Sequence, residues 1–310
     1  MVFDNLINSV NRKFFMFLST NNKIKNYVME SDFCNKVAQR WIAGVNLPEA
    51  DTVTKGLNLE NKLVSLDHLG EMVTENWAAK DSAYEGIGII SHIYNNNLEA
   101  NLSVKPTQLG MDIGPDICYD NMKMVLDTAK HCDNFVRMDM EGSAYTQKTI
   151  DVFKKLRKDY DNVGIVMQSY LYRTGDDIDD LLKIGSNFRL CKGAYREPKN
   201  IAFPKKKDVD RNYMELSEKL LLSGQKQAFA THDKVMIDHI KQFAKDKNVS
   251  RDNIEFQMLY GIRRNLQQEL VDDGWNLRIY VPYGNDWYPY TMRRFAESYH
   301  NLLFVLKDVF

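Results

Sequence analysis

The segment from Tyr280 to Glu297 holds the residues of this chain best suited to bind a small charged molecule. It runs from an apolar stretch through a Pro/Gly turn rich in aromatic residues and into a helical pattern that carries adjacent arginines, Arg293 and Arg294. An arginine pair offers a planar, permanently charged fork for a carboxylate or phosphate, and the preceding tyrosines could enclose a small apolar ring. The segment therefore predicts a site for a small anionic metabolite.

The composition favours a small partner over a large charged one. The 310 residues include 41 basic and 42 acidic side chains, a formal net charge of −1. Such a chain has no overall field that would attract nucleic acid or anionic lipid, so we expect no nucleic-acid partner. Its four cysteines are scattered without CxxC pairs, which fits a reducing cytosol and not a zinc site.

The N-terminal region contains no recognisable targeting signal. Residues 2–18 carry apolar side chains at three- and four-residue spacing, which predicts an amphipathic helix covering one end of the core. The apolar run within them is too short for a signal peptide, and no later stretch approaches the ~20 apolar residues of a membrane span. We expect a cytoplasmic protein; whether the N-terminal helix touches a membrane stays open.

Apolar runs alternate regularly with helical patterns from residue 61 onward. Each run is nearly continuous in apolar residues and precedes a helix-patterned segment, which predicts parallel strands covered on both faces. The eight predicted strands are Lys62–Leu66, Asn101–Lys105, Asn134–Met140, Val163–Gln168, Asn187–Lys192, Gln227–Thr231, Ile254–Leu259 and Asn276–Val281.

Eight such units predict closure into a distorted (β/α)8 barrel with N-terminal helical additions. We expect residues 1–60 to form helices packed on the barrel and residues 61–310 to form the barrel itself, as one structural unit. An open doubly wound sheet would favour a glycine-rich turn after its first strand, and none follows Leu66. The nearest match begins at Gly86, lacks a third glycine and lies within a helical pattern.

Polar side chains follow every predicted strand, at the barrel end where active sites collect. The sequence has no GxSxG, HExxH or GxxxxGK[ST] motif, and His68 and His232 alone are too few for a metal centre. Asp139 and Glu141 stand two residues apart, but glycosidase carboxylates usually come from different strands. Donors are in excess, which suits a substrate carboxylate and a large, electron-rich cofactor: Lys105, Arg189, Lys192, Arg293 and Arg294.

At these positions the chain resembles the proline dehydrogenase family, flavoenzymes that oxidise L-proline to Δ1-pyrroline-5-carboxylate. The similarity extends over nearly the whole predicted barrel, and its length is similar to that of the monofunctional bacterial form. The motifs that carry it are Leu69-Gly-Glu71, Val104-Lys-Pro-Thr-Gln-Leu-Gly110, Arg189-Leu-Cys-Lys-Gly-Ala-Tyr195, Ala230-Thr-His-Asp233, Glu255-Phe-Gln-Met-Leu-Tyr-Gly261 and Arg293-Arg-Phe-Ala-Glu297.

The resemblance implies FAD held non-covalently across the carboxyl mouth of the barrel. Gly193 suits this role because a residue without Cβ lets the backbone approach a cofactor. The residues that the resemblance places at the cofactor are Met140, Gln168, Lys192, Gly193, Ala194, Thr231 and His232.

The resemblance also implies how L-proline is held. Arg293, Arg294 and Lys105 would bind its carboxylate, and Tyr195, Tyr280 and Tyr290 would enclose its ring. A tyrosine at the position of Tyr280 is associated in the family with proline over 4-hydroxyproline, because it crowds the place of the hydroxyl group.

Two residues are implied to be catalytic. Arg189 would lie beside flavin N5, and Asp139 would fix the polar network around it, with neither assigned as general base. Glu71 would act as a gate by pairing with Arg189 over the occupied site. Cys191 stands where the motif usually has an aliphatic residue, and we expect it to pack conservatively.

The implied reaction passes a hydride from proline C5 to flavin N5, with electrons going on to a quinone. A transient contact with a separate Δ1-pyrroline-5-carboxylate dehydrogenase and a peripheral position at the inner face of the plasma membrane stay open. Two other functions also stay open: another flavin-dependent barrel oxidoreductase, such as a methylenetetrahydrofolate reductase relative, and a catalytically silent amino-acid-binding barrel.

Overall fold

The computed structural model describes residues 31, 38, 40–70 and 73–297, with side chains described as far as Met292. Within these ranges eight parallel strands pair in sequence order, and the last pairs with the first to close a barrel. The strands are β1 Leu63–His68, β2 Ala100–Val104, β3 Val136–Met138, β4 Val163–Gln168, β5 Asn187–Cys191, β6 Gln227–Ala230, β7 Ile254–Leu259 and β8 Asn276–Tyr283.

All eight predicted strands are confirmed, with small differences at their ends. The largest is in β3, which begins two residues later and ends two residues earlier than predicted. The side chain of Asn134 accounts for the late start, because its amide donates to the Ala100 carbonyl and accepts from the Phe135 N–H. A side chain thereby takes the place of strand pairing at that point.

In the described part of the chain, a helix over Leu47–Leu59 precedes the first strand and one helix follows each strand, as the alternation predicts. Gly86 lies inside the second helix, which is incompatible with a dinucleotide-binding turn at that position. The helices are α1 Leu47–Leu59, α2 Asn76–Asn95, α3 Pro115–His131, α4 Ser143–Leu156, α5 Thr174–Leu182, α6 Lys206–Leu221, α7 Lys234–Asp246, α8 Arg264–Asp272 and α9 Trp287–Glu297, with a 3-10 turn at Arg251–Asn253.

The apolar core lies between the strands and the helices. Phe188, Phe229 and Phe256 are fully buried, and Phe229 is the register partner of Phe256 on the neighbouring strand. The helices match this surface: α2 buries Ala83 and Ile90 among other residues at three- and four-residue spacing. This layer supplies the hydrophobic stabilisation of the fold.

The inner face of the barrel is polar on six strands, and this differs from the expected nearly continuous apolar runs. Burial of both faces is confirmed for strands such as β4, all six of whose residues are buried. Since side chains alternate along a strand, apolar residues that face the helices leave their neighbours facing inward. The inward polar pairs are Ser65 and Asp67, Ser103 and Lys105, Arg137 and Asp139, Asn187 and Arg189, Glu255 and Gln257, and Arg278 and Tyr280.

The segment before α1 crosses the carboxyl end of the barrel. The Ala43 N–H donates to the Pro282 carbonyl at 2.9 Å, and the Gly284 N–H donates to the Gly44 carbonyl at 3.0 Å. Residues 40–44 therefore lie beside the expected active-site mouth. The division at residue 60 stays a prediction, since residues 1–30 and 32–37, including the predicted helix over 2–18, lie outside the described residues. None of the helices described in 40–70 and 73–297 has the length and apolarity needed to cross a bilayer.

Substitution of two glycines tests how tightly the barrel interior is packed. A Cβ at Gly164, on β4, would lie 2.8 Å from the Asn187 carbonyl oxygen and would also collide with the Arg137 guanidinium. Gly164→Ala should therefore lower the free energy of unfolding by ~1–3 kcal/mol. The matched control is Gly88→Ala in the middle of α2, where a Cβ meets nothing within 4 Å; it should raise that free energy by ~0.5–1 kcal/mol. Urea unfolding measures both, and equal effects would contradict the packing described for Gly164.

Candidate active site

A buried ion pair between Arg189 and Asp139 lies inside the carboxyl end of the barrel. Nη1 of Arg189, on β5, donates to Oδ1 of Asp139, just after β3, at 2.8 Å. The same carboxylate oxygen accepts from the Ser103 hydroxyl on β2 at 2.7 Å. Arg189 is only 5% exposed, so its charge is compensated inside the protein and not by water.

Neutral acceptors complete the hydrogen bonds of the Arg189 guanidinium. Nη1 also donates to Oγ of Ser103 at 3.1 Å, and Nη2 donates to Oγ of Ser65 at 3.2 Å. Nε donates to Oε1 of Gln257 on β7. Every nitrogen of the guanidinium is engaged, and its partners come from four other strands or strand ends, so closure of the barrel fixes its orientation.

Tyr280 on β8 adds an aromatic face and a hydroxyl group to this cluster. Its OH donates to Oδ2 of Asp139 at 2.8 Å, and its ring centroid lies 5.2 Å from the Arg189 guanidinium carbon. Burial, together with the negative charge of Asp139, raises the pKa of the Tyr280 phenol well above its usual value. Tyr280 therefore stays protonated and remains a donor.

A second ion pair lies on the neighbouring strands. Nζ of Lys105 is 2.5 Å from Oδ1 of Asp67, whose side chain is 1% exposed, whereas that of Lys105 is 21% exposed. Oδ2 of Asp67 is buried and has no hydrogen-bond partner among the described residues. The Asp67 carboxylate thus compensates the charge of the Lys105 ammonium, while part of the lysine side chain is exposed at the mouth.

Gln168 and Gly193 lie on adjoining parts of the mouth. Nε2 of Gln168 donates to the Met140 carbonyl at 3.3 Å, while its Oε1 is buried without a partner in the described part of the chain. Gly193 has φ +104, and a Cβ there would collide with the ring of Tyr170. The positive φ and the Tyr170 ring account for the glycine, whereas the buried unpaired acceptor of Gln168 is a feature of a ligand-binding surface.

Lys192 belongs to a charge cluster at the outer edge of the mouth. Its Nζ lies 2.6 Å from Oδ1 of Asp210 and 2.8 Å from Oδ2 of Asp233. Oδ1 of Asp233 also accepts from the Val235 N–H and so caps α7. Lys206 pairs with Asp210 too, which gives the cluster two cations and two carboxylates.

Thr231 and His232 shape the loop between β6 and α7. The Thr231 hydroxyl accepts from the Asp233 N–H at 3.0 Å, and Nε2 of His232 accepts from the Leu259 N–H at 2.9 Å. Because Nε2 is an acceptor, the proton of the neutral imidazole is on Nδ1. These contacts attach the loop to the end of β7.

Of the six remaining predicted residues, three have side chains that the structure describes and three do not. Ala194 and Tyr195 are exposed, Tyr195 by 45%, and Tyr290 on α9 is buried at 7% exposure. Arg293 and Arg294 lie within α9, but their side chains fall outside the described residues, as does all of Glu71.

Comparison with known proteins identifies the family. The family description "Proline dehydrogenase" matches residues 51–307 of this chain. The chain belongs to the proline dehydrogenase family. It is 43% identical to proline dehydrogenase 2 of Bacillus subtilis strain 168, over 97% of this chain and 99% of that relative. It is 35% identical to the proline dehydrogenase of Deinococcus radiodurans, over 88% and 90% of the two chains.

Solved structures of longer proteins share the fold. The crystal structure of proline utilization A from Bdellovibrio bacteriovorus, inactivated by N-propargylglycine, has a TM-score of 0.82 at 24% identity, covering 92% of this chain and 36% of that one. A Bradyrhizobium japonicum proline utilization A has a TM-score of 0.72 at 22% identity, covering 84% and 31%. This chain therefore spans about a third of those proteins, and the likeness supports the barrel fold alone.

Sequence reasoning assigned no role to several polar residues of this proline dehydrogenase site. Ser65 and Ser103 are small, neutral residues within apolar runs, and Asp67 and Gln257 lie near the ends of their strands. The signal that could have found them is their alternation with apolar neighbours on strands whose other face packs against helices.

Glu141 and Cys191 do not take part in the cluster around Arg189. Glu141 accepts from the Thr107 N–H at 3.0 Å and from its hydroxyl at 2.7 Å, and burial raises the pKa of this carboxyl. Asp139 and Glu141 both follow the end of β3 at Met138, and their carboxylates bind different partners. Burial raises the pKa of the Cys191 thiol to about 12, consistent with conservative packing.

Removal of the Asp139 carboxylate tests how strongly Arg189 depends on it. Asp139→Ala leaves a buried guanidinium without its counter-charge, so we expect a loss of ~3–5 kcal/mol in the free energy of unfolding. The matched control is Asp180→Ala, which breaks an ion pair with Lys154 whose side chains are 50% and 39% exposed; solvent screens such a pair, so this change should have little effect on stability. Urea unfolding compares the two, and equal losses would mean that Asp139 does not carry the buried charge balance.

Proposed function

We propose that this protein oxidises L-proline to Δ1-pyrroline-5-carboxylate with bound FAD, the first step of proline catabolism to glutamate. Membership of the proline dehydrogenase family makes it an enzyme that oxidises proline. The observation that carries the proposal further is the Arg189, Asp139 and Tyr280 cluster at the carboxyl end of the barrel, where a buried cation and an aromatic ring adjoin. This arrangement suits a flat, electron-accepting cofactor above the cluster and a small substrate ring beside that cofactor.

The residues at the mouth fit a flavin nucleotide. The buried, unpartnered Oε1 of Gln168 offers an acceptor for a ring N–H, and Gly193 follows Lys192 in the adjoining loop. Lys192 supplies a cation for a phosphate, and it contacts Asp233 of the loop that carries Thr231 and His232. Met140 and Ala194 complete the predicted set. When bound, FAD supplies the two-electron redox chemistry that no protein side chain provides.

The negative charge of the Asp67 side chain reduces the net charge that Lys105 brings to the substrate site. An ammonium already paired at 2.5 Å with a buried carboxylate contributes donors to a substrate carboxylate without bringing a full uncompensated charge into the site. Arg293 and Arg294 would provide the principal fork, since two guanidinium groups can each bind a carboxylate through parallel hydrogen bonds. Binding at three cations fixes the orientation of the substrate ring.

Tyr280 is the tyrosine whose contacts best suit it to form one side of the substrate site. Its hydroxyl is held by Asp139 and its ring by Arg189, so the phenol cannot move aside for a bulkier substrate. A hydroxyl at ring position 4 would then be crowded, which favours proline over 4-hydroxyproline. Tyr195 and Tyr290 would enclose the remaining faces of the ring.

Asp139 acts as a fixed acceptor and not as a free base. Its Oδ1 accepts from Arg189 and Ser103, and its Oδ2 accepts from Tyr280, so three donors occupy its two oxygens. The substrate amine must lose its proton because a positively charged nitrogen opposes hydride departure from the adjacent carbon C5. No described side chain of this cluster is free to serve as that base, so a water would take the proton, and Arg189 would hold its positive charge beside the cofactor. Electrons would then pass to a quinone.

Anaerobic titration with L-proline tests this function most simply. Purified protein supplied with FAD should lose its oxidised-flavin absorbance on addition of L-proline and should not respond to NADH. A methylenetetrahydrofolate reductase relative should respond to NADH instead. A silent amino-acid-binding barrel should bind proline without any change in flavin absorbance.

The arginine pair gives a prediction for substrate binding. Arg294→Ala should raise the KM for L-proline by the equivalent of ~2–5 kcal/mol, because a desolvated carboxylate loses half of its fork. Lys183→Ala, a change of an exposed cation at the end of α5, is the control and should leave KM unchanged. Steady-state kinetics with a dye acceptor measures both variants. An unchanged KM in Arg294→Ala would remove this residue from the carboxylate site.

A further inference from the structure

Gln257 connects the catalytic end of the barrel to an ion pair at its opposite end. Nε2 of Gln257 donates to Oε1 of Glu255 at 2.5 Å, and its Oε1 accepts from Nε of Arg189. Glu255 in turn binds Arg278 through two bonds, of 2.9 and 3.1 Å. Glu255 and Arg278 line a cavity of about 700 Å³ at the N-terminal end of the barrel, so the series of contacts spans the barrel interior.

The chemistry of the neighbours allows only one orientation of the Gln257 amide. A guanidinium has donors and no acceptor, and an ionised carboxylate has acceptors and no donor. The amide oxygen must therefore face Arg189 and the amide nitrogen must face Glu255.

Arg278 keeps Glu255 in the acceptor form that this orientation requires. Burial by itself would raise the pKa of Glu255, but the charge and hydrogen bonds of Arg278, with the Gln257 bond, lower it to about 2. A protonated Glu255 could donate a hydrogen bond and let the amide turn over. The Arg278 and Glu255 pair therefore holds Gln257 in one orientation.

The amide oxygen of Gln257 is the acceptor that engages the Nε edge of Arg189. The other three bonds of the guanidinium, to Asp139, Ser103 and Ser65, all leave from Nη1 or Nη2. Loss of the Nε acceptor would leave a buried donor unpaired and would free the guanidinium plane to tilt about its remaining bonds. Both Gln257 and Arg189 are at least 95% buried, so bulk water cannot replace the acceptor directly.

We propose that Gln257, oriented by Glu255, is a positioning residue that sets the plane of the Arg189 guanidinium against the bound flavin. The proposal rests on the proposed function, because it takes Arg189 as the group beside the flavin. Gln257 itself touches neither substrate nor cofactor in this account. Its effect should therefore fall on the chemical step and not on substrate binding.

Two substitutions of Gln257 separate hydrogen bonding from packing. Gln257→Met keeps the length of the side chain and removes the amide; kcat for L-proline should fall by about 10-fold or more while KM changes little, as expected when a catalytic group is misplaced. Gln257→Glu can restore the function when protonated, because its carbonyl oxygen can accept from Arg189 and its O–H can donate to Glu255. The pH profile of kcat for Gln257→Glu should therefore show higher activity at low pH, through an ionisation that wild type lacks.

Phe256→Leu is the matched control. It lies between Glu255 and Gln257 on β7, but its side chain faces the helices, where its ring contacts Trp275 at a centroid distance of 5.5 Å. It should lower the melting temperature and leave kcat and the pH profile as in wild type. If Gln257→Met lost only as much activity as Phe256→Leu, or if Gln257→Glu followed the wild-type pH profile, the positioning role would be overturned.

A spectroscopic readout tests the proposal without turnover. In protein labelled with 15N-arginine, the Nε–H signal of Arg189 can be assigned by its absence from Arg189→Lys. Its proton chemical shift should be the same in wild type and Phe256→Leu, and should move upfield in Gln257→Met, where the Nε–H loses its acceptor. An unchanged signal in Gln257→Met contradicts the proposal. Wild-type flavin that L-proline does not reduce would contradict the proposed function instead, and the arginine signal would still report on Gln257.

Discussion

The structure depends on the burial of one guanidinium group inside a closed barrel. Arg189 is almost completely excluded from solvent, so its charge and its N–H groups must be compensated by the protein. Its partners stand on β1, on β2, after β3 and on β7, while Arg189 itself stands on β5. No pair of adjacent strands could supply this set. The site therefore exists only when all eight strands are closed in register, and a one-residue slip in any contributing strand would turn its side chain toward the helices.

The charges inside the barrel are arranged mostly in pairs. Lys105 binds Asp67, Arg189 binds Asp139 and Arg278 binds Glu255, each within hydrogen-bond distance. Arg137 instead uses the side chain and carbonyl group of Asn187 and the carbonyl group of Ile165. Buried ion pairs contribute little net stability because desolvation offsets their attraction. Stability must come from the apolar layer between strands and helices, which leaves the interior to place charged groups.

The sequence was sufficient to predict the architecture because its pattern is local. Apolar runs and helical patterns recur at regular spacing, and all eight strands and the helices after them follow from it. It also placed Asp139, Arg189 and Tyr280 at strand ends that meet at one mouth, and the structure brings these three side chains into contact. Family resemblance supplied their expected roles.

Pairing between side chains could not be predicted in the same way. Residues 189 and 257 are 68 positions apart, and their contact depends on the register of β5, β6 and β7. The resemblance implied Glu71 as a partner of Arg189 over the occupied site; this stays a prediction, because Glu71 lies outside the described residues. Likewise, the carboxylates bound to Lys105 and Lys192 became evident only from the distances.

The central claim is that Asp139 and Gln257 act as one unit by holding two edges of the same guanidinium. A double-mutant cycle on the rate of flavin reduction by L-proline, with Asp139→Ala, Gln257→Met and the combined variant, tests this most directly. The account predicts that the combined variant is scarcely slower than the slower single variant, a coupling of ~1 kcal/mol or more. Effects that add within ~0.5 kcal/mol, as for independent sites, would contradict it.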